Sequence, residues 1–279
     1  YGASVIGIEP AKNLSDEANI QGIPTINSFF SESLAIELLN KYGAQDVVIA
    51  RNVIGHVPDP VDFMKGVNRL LSEDGIAYIE FHDLNSVYNG LQYDAIYHEH
   101  ASYFSKLTFA YLCDKTSFRI FNSRISPVGG GNLGIFLKKR KNINNTEYYF
   151  SKSISMSDWS EWTRKVYSHK DQIKMAVSSS TKETTVAFGA SARGISLLNF
   201  ANLTEDISAI IDNNKLKQGL FLPKSTLKVL PPNSIIETKF QNILLLSWNF
   251  ADEILKQLYK LDFKGQIIYP YPHVSIEKI

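Results

Sequence analysis

Residues 46–81 carry the reading that decides the fold: Asp46-Val-Val-Ile-Ala50, then Pro60-Val-Asp-Phe-Met-Lys-Gly-Val-Asn-Arg-Leu-Leu71, then Gly75-Ile-Ala-Tyr-Ile-Glu-Phe81. The outer two runs are apolar and of strand length. The middle one places Phe63, Met64, Val67, Leu70 and Leu71 at helical spacing. Apolar strands separated by an amphipathic helix predict a parallel sheet covered on both faces. The pattern extends towards the start of the chain. Ser4 to Glu9 reads as a strand ending in a carboxylate, Leu14 to Ile20 as a helix and Ile23 to Ile26 as a short strand. Glu32 to Tyr42 reads as a helix with Leu34, Leu38 and Leu39 on one face. Beyond the quoted stretch, Phe118 to Ile125 and Leu133 to Leu137 read as an antiparallel edge pair joined through Gly129-Gly130-Gly131.

The pattern then changes. Lys138 to Asn145 is polar and basic, and reads as a solvated loop because it is too short and isolated for a nucleic-acid patch. Trp159 to Met175 reads as one long helix. A second α/β unit opens with the strand Thr184 to Gly189, the turn Ala-Ser-Ala-Arg193-Gly194 and a helix through Phe200. The strand Ile207 to Asp212 follows, with further strands at Asn242 to Trp248 and Gln266 to Tyr269. The expected division is therefore 1–138, a polar loop and linker helix over 139–180, and a Rossmann-like domain over 181–279. Asp212, about twenty residues beyond the glycine turn, has the spacing of a dinucleotide-type βαβ unit. The turn itself, Gly189-x-x-x-x-Gly194, lacks the usual glycine pattern, so a tight strand-helix turn without coenzyme stands beside that reading.

Composition narrows the classes. With 279 residues, 20 % charged and a formal net charge of +1, nothing favours a nucleic-acid partner. The single cysteine, Cys113, excludes an internal disulfide framework and fits a reducing compartment. No apolar run reaches the ~18 residues of a membrane span, and no signal peptide opens the chain, so a cytoplasmic setting is expected. A strand at the very start, with no methionine or helix before it, reads as the beginning of a fragment.

The densest chemistry lies in Gln92-Tyr-Asp-Ala-Ile-Tyr97-His98-Glu99-His100-Ala-Ser-Tyr103. Histidine exchanges protons near neutral pH, a neighbouring carboxylate can orient it, and tyrosine can donate to a developing oxyanion. A solvated His-Glu-His turn is the plainer alternative. A metal site is not expected, since adjacent positions seldom converge on one ion.

Taken in order, several segments resemble one family. Gly7-Ile8-Glu9-Pro10 is similar to the second strand of class I S-adenosylmethionine (SAM)-dependent methyltransferases. Asp46-Val-Val-Ile-Ala-Arg-Asn52-Val53-x-x-His56-Val57-x-Asp59 looks like the fourth strand and loop of their sugar C-methyltransferase branch. Tyr97-His98-Glu99-His100-x-x-Tyr103 resembles that branch's Tyr-x-Glu-His signature. Gly189 to Gly194, Asp212, Lys217-Gln218-Gly219 and Trp248-Asn249 look like its C-terminal Rossmann-like domain.

The resemblance implies a truncated methyltransferase-type sheet followed by a second Rossmann-like domain. The family's zinc-binding domain and Gly-rich SAM loop would both precede this sequence. It implies SAM as cofactor, bound by Glu9 through the ribose, by Phe29 or Phe30 against adenine, and by Asn52 and His56. It further implies a nucleotide-activated keto sugar as acceptor. His100 would be the base, Tyr97 the enolate donor and Glu99 an orienting group. Tyr103, Asn132, Arg193, Asp212 and Lys217 would be the substrate contacts.

Core packing remains the alternative for Phe29, Phe30 and Tyr103, and a helix-capping or solvated carboxylate for Glu9. One departure touches the acceptor. The family's His-Gly-Gly-Ser-Leu-Arg is here Gly129-Gly130-Gly131-Asn132-Leu133-Gly134, and Leu222 to Ser225 lacks the usual glycine. An O- or N-methyltransferase, a degenerate nucleotide-sugar binder and an NAD-dependent oxidoreductase are the rival readings. The sequence gives no oligomeric state.

Overall fold

The computed structural model describes residues 2–140 and 153–279. Residues 141–145 of the basic loop expected over 138–145, and part of the expected linker, lie outside them. The chain forms two compact units. The described residues of the first run over 2–81, 104–125 and 133–140, and those of the second over 82–103, 126–132 and 153–279.

The first unit starts with a parallel pair, β1 (Gly7–Ile8) and β2 (Thr25–Ile26), on either side of α1 (Lys12–Ile20). Next comes α2 (Glu32–Tyr42), started by Ser31, whose hydroxyl accepts from the Leu34 N–H at 3.2 Å. The decisive stretch folds as read, into β3 (Gln45–Arg51), α3 (Pro60–Leu70) and β4 (Leu71–His82), with β3 and β4 parallel. Asp59 caps α3 through Val61 and Asp62, and Pro60 occupies its first turn. In chain order α4 (Leu84–Asn89), which falls in the second unit, comes next, and the first unit resumes with α5 (Lys106–Lys115), followed by β5 (Phe118–Ser126) and β6 (Asn132–Lys139). The sheet order is β3-β4-β6-β5. The short connection 127–131 between β5 and β6 is one that only antiparallel neighbours can use.

One face of this sheet packs Ala77, Ile79, Phe81, Ile135 and Leu137 against Phe63, Met64, Val67 and Phe109. The expectation of cover on both faces fails at β3, where Val47 is 57 % and Ile49 64 % exposed. On that other face Tyr78 donates to Glu80 at 2.5 Å and Arg51 to Glu80 at 2.9 Å, with Arg124 over the Tyr78 ring. This group gives a physical reason for Gly134: a Cβ there would lie 2.8 Å from Tyr78 ring carbons. Cys113 is buried in the core, where burial pushes its thiol pKa up.

The second unit contains α6 (Met156–Ser178), β7 (Thr185–Phe188), α7 (Ala192–Ala201), β8 (Ala209–Ile211) and β9 (Lys228–Leu230). After these come α8 (Ser234–Glu237), β10 (Asn242–Leu245), α9 (Ala251–Lys260), β11 (Gln266–Tyr269) and β12 (Ser275–Lys278). Its strand order is β12-β11-β10-β7-β8-β9, parallel except for the β11–β12 pair. Strand order reverses at β7, as in doubly wound sheets.

The expected boundaries differ from these units in two places. The helix read as a linker is a core element, because Trp162, Val166, Ile173 and Val177 of α6 are buried with Leu197, Leu198 and Ile210. Residues 82–103, expected in the first domain, belong to the second unit, where Tyr93 is buried in that same core. No helix among the described residues is long and apolar enough to cross a membrane.

Candidate active site

The histidine-rich segment is a hydrogen-bonded turn. Asp83 caps α4 by accepting from the Ser86 N–H at 3.1 Å, and a single 3-10 turn, Tyr93–Ala95, follows Gln92. The His100 N–H donates to the Tyr97 carbonyl at 3.0 Å, which closes the turn. On the side chain, His100 Nδ1 lies 2.7 Å from the Ala95 carbonyl oxygen. A carbonyl only accepts, so Nδ1 carries the hydrogen and Nε2 holds the lone pair of the neutral ring. Tyr103 also donates to the Ala95 carbonyl, at 3.5 Å. The rings of Tyr97 and Tyr103 lie 4.3 and 5.8 Å from that of His100. Burial, with the Glu99 charge second, raises the Tyr97 pKa and so keeps its phenol a donor at neutral pH. His98 is well exposed and stands 4.0 Å from Glu99.

Immediately before this turn lies a buried ion pair. Asp94 is 1 % exposed; its Oδ2 accepts from Arg193 Nε at 2.9 Å and from Trp248 Nε1 at 3.0 Å, and its Oδ1 from Arg193 Nη2 at 3.0 Å. Arg193 further donates to the Gly129 carbonyl at 2.6 Å and to Gln92 Oε1 at 3.2 Å, and lies over the Trp248 ring. Gln92 Nε2 donates to the Gly130 carbonyl at 2.7 Å, which turns its Oε1 towards His82 Nε2 at 3.0 Å. Burial, then the Arg193 charge, lowers the His82 pKa to about 4.

The glycine run fits this setting. Gly129, Gly130 and Gly131 all have positive φ, and a Cβ on Gly130 would lie 2.7 Å from both Gln92 and Trp248. Asn132, expected to meet substrate, is 2 % exposed beneath this loop.

The residues expected to meet the cofactor lie in the first unit. Glu9 follows β1 and its Oε1 accepts from the Ala11 N–H at 2.7 Å. The Glu9 carbonyl accepts from Asn27 Nδ2 at 3.0 Å. Phe29 is 76 % exposed, whereas Phe30 packs edge-on against Phe63 at 5.3 Å, so the structure separates the two phenylalanines. Asn52 holds a positive φ of 54° and donates its N–H to the Glu80 carbonyl at 2.8 Å; His56 is exposed on the following loop.

In the second unit, Asp212 Oδ2 accepts from the Ala190 N–H and its Oδ1 from the Asn214 N–H, each at 2.7 Å. Lys217 donates to the Ala190 carbonyl at 2.8 Å. An open cleft of about 230 Å³ lies at the carboxyl ends of β7 and β10, lined by Gly189, Asp212, Asn213, Ser247, Phe250 and Gln257 among others. Among the described residues no group of three or more His, Cys, Asp or Glu side chains is placed to hold a metal ion.

Sequence reading missed His82, Gln92 and Asp94. His82 was visible as a strand-end histidine, but nothing local links Asp94 to Arg193, 99 residues away.

Comparison with known proteins gives the following. A family model described as the C-methyltransferase C-terminal domain matches residues 127–272, and a methyltransferase-domain model matches 1–122. The chain is similar to the C-methyltransferase NovU of Streptomyces niveus, with 27 % identity over 288 residues covering 99 % of this chain and 69 % of that protein. Among solved structures, it is similar to the 1,6-didemethyltoxoflavin-N1-methyltransferase of Burkholderia thailandensis. There the TM-score is 0.38 at 17 % identity, covering 50 % of this chain and 63 % of the other. A putative S-adenosylmethionine-dependent methyltransferase of Listeria monocytogenes gives 0.39 at 16 %, covering 50 % and 81 %.

Proposed function

We propose, for a chain that belongs to the C-methyltransferase family, that it methylates a carbon next to the carbonyl of a nucleotide-activated keto sugar. The observation that carries this reading is the His100 ring, held in one tautomer by the Ala95 carbonyl at 2.7 Å and flanked by Tyr97.

SAM fits the residues of the first unit: Glu9 offers a carboxylate at the carboxyl end of β1 for the ribose hydroxyls, and the exposed Phe29 a face for adenine. Asn52 and His56, on the loop after β3, are assigned to its methionine end. SAM supplies, when bound, the electrophilic methyl group that the substrate carbon takes, its sulfur keeping the electron pair of the broken carbon–sulfur bond.

The chain's own residues do the rest. His100 Nε2 removes the proton from the carbon beside the carbonyl. Tyr97, kept protonated by its surroundings, donates to the enolate oxygen. Glu99 orients a sugar hydroxyl or the His100 ring, and Tyr103 flanks the sugar. The nucleotide is assigned to the cleft at the ends of β7 and β10, beside Asp212 and Lys217. Asn132 supports the glycine loop from below.

The test is transfer of labelled methyl from SAM to a panel of nucleotide 4-keto sugars, run beside His100→Ala. The expected result is label on a sugar carbon, falling by about 10²–10⁴-fold in the variant while SAM still binds. Label on oxygen or nitrogen, or undiminished transfer by the variant, overturns the reading.

A further inference from the structure

Arg193 lies in the first turn of α7, where the helix dipole disfavours a cation. A guanidinium kept there has a reason to stay, and its hydrogen bonds show the reason. They run to Asp94, Gln92 and the Gly129 carbonyl, so one side chain ties the segment leading to His100 to the glycine loop. Asp94 in turn takes three N–H donors on its two oxygens. One residue upstream, the Tyr93 ring packs against Phe200, His169 and Tyr271 at 5.1, 5.7 and 5.7 Å. One residue downstream is Ala95, whose carbonyl receives both His100 Nδ1 and the Tyr103 hydroxyl. The carbonyl that sets the histidine tautomer is thus the next link after a buried, fork-bonded ion pair.

We infer that Arg193 and Asp94 are positioning residues for His100: their ion pair fixes the Ala95 carbonyl, which holds the imidazole as the Nδ1–H tautomer with Nε2 presented as the base. The inference rests on His100 being the base, and it replaces a direct substrate contact as the role of Arg193. Arginine suits this task and lysine does not, because only the planar fork reaches both Asp94 oxygens while also bonding Gln92 and Gly129. The Arg193 charge also helps keep His82 neutral, so its removal raises the His82 pKa from about 4.

The experiment measures imidazole ¹⁵N shifts and steady-state kinetics on the full-length protein and on Arg193→Gln, Arg193→Lys and Trp248→Phe. Folding is checked by circular dichroism. In the wild type, His100 shows a protonated Nδ1 and an unprotonated Nε2. In Arg193→Gln both nitrogens move to averaged shifts and kcat falls about 30-fold, on the scale of a misplaced catalytic group, while KM for SAM and acceptor changes less than about 3-fold. Arg193→Lys recovers only part of this. Trp248→Phe, which removes one of the three donors to Asp94, gives a smaller change of the same kind.

If Arg193→Gln does not fold, the uncharged pair Asp94→Asn/Arg193→Gln takes its place, with the same shifts expected. A single Nδ1–H tautomer with unchanged kcat in the folded variant overturns the proposal. So does a rise in acceptor KM at constant kcat, which makes Arg193 a substrate contact. If the wild type transfers no methyl to carbon, the functional reading fails on its own, and the ¹⁵N shifts still decide the positioning role.

Discussion

His82 offers a quantitative check on the buried network. It closes β4 and donates from Nε2 to Gln92 Oε1; the Gln92 amide is fixed in turn by its own Nε2–H, which donates to the Gly130 carbonyl, and by Arg193, which donates to the same Oε1. Burial, then the Arg193 charge, depresses its pKa from 6.5 to about 4. Between these values the unfolded chain binds a proton that the folded chain refuses, so acid favours unfolding. The stability that His82 contributes is complete above about pH 6.5 and is lost as pH falls towards 4. For a pKa of about 4 folded against 6.5 unfolded, linkage gives a loss of roughly 2 kcal/mol at pH 5.

Tryptophan fluorescence reads this event cleanly, because Trp159, Trp162 and Trp248 all lie in the second unit with His82. Urea unfolding is followed at pH 7 and pH 5 for the wild type and for His82→Gln, in which that position no longer titrates. With a urea slope of about 2 kcal/mol per molar, the wild-type midpoint drops by about 1 M more than the variant's. His169, whose pKa burial also lowers, is present in both proteins and cancels in the difference. Equal drops in the two proteins would refute the reasoning and place the charged form of His82 in the folded state.

Three further expectations concern the first unit. Phe29→Ala weakens SAM binding by about 10-fold, the scale of a lost aromatic stack, and leaves the melting temperature unchanged. Phe30→Ala costs about 2 kcal/mol of stability through its contact with Phe63; calorimetry of SAM binding beside thermal melts separates the two, and reversed effects would exchange their roles. Gly134→Ala destabilises by about 1–3 kcal/mol, because the new Cβ meets Tyr78. Far-ultraviolet circular dichroism during urea unfolding measures this, and an unchanged midpoint would show that Tyr78 moves aside freely.

The sequence made legible what depends on local pattern. The apolar runs that became β3, β4, β7, β10 and β11 were readable because strands inside a parallel sheet are apolar along their length. The ends of α2 were readable because Ser31 and Gly43 punctuate it. Short edge strands escaped: β9 is only Lys228–Leu230, and β12 is exposed throughout. The helix α5 escaped as well, since its apolar residues do not form one clear stripe. At the site, Tyr97, His98, Glu99 and His100 were conspicuous as neighbours in sequence. Their supports were not, because the Asp94–Arg193, Gln92–Gly130 and Trp248–Asp94 bonds join residues far apart in the chain. The assignment of residues 82–103 to the second unit follows from such contacts too.

The glycine turn and Asp212 show how a ligand-like spacing can have an internal cause. Gly189 has φ +108°, and a Cβ there would run into Ser247; a Cβ on Gly194 would lie 2.9 Å from the Gly189 carbonyl oxygen and from Leu246. Both glycines are thereby required by close packing of strand on helix. Asp212 accepts from the Ala190 N–H inside the same turn, and Lys217 donates to the Ala190 carbonyl from the other direction. A carboxylate about twenty residues beyond the glycine therefore closes the turn whether or not a coenzyme is bound. The spacing alone gives no support to a nicotinamide enzyme. The case for a nucleotide in this unit rests instead on the cleft at the ends of β7 and β10, the one place where doubly wound topology predicts a ligand.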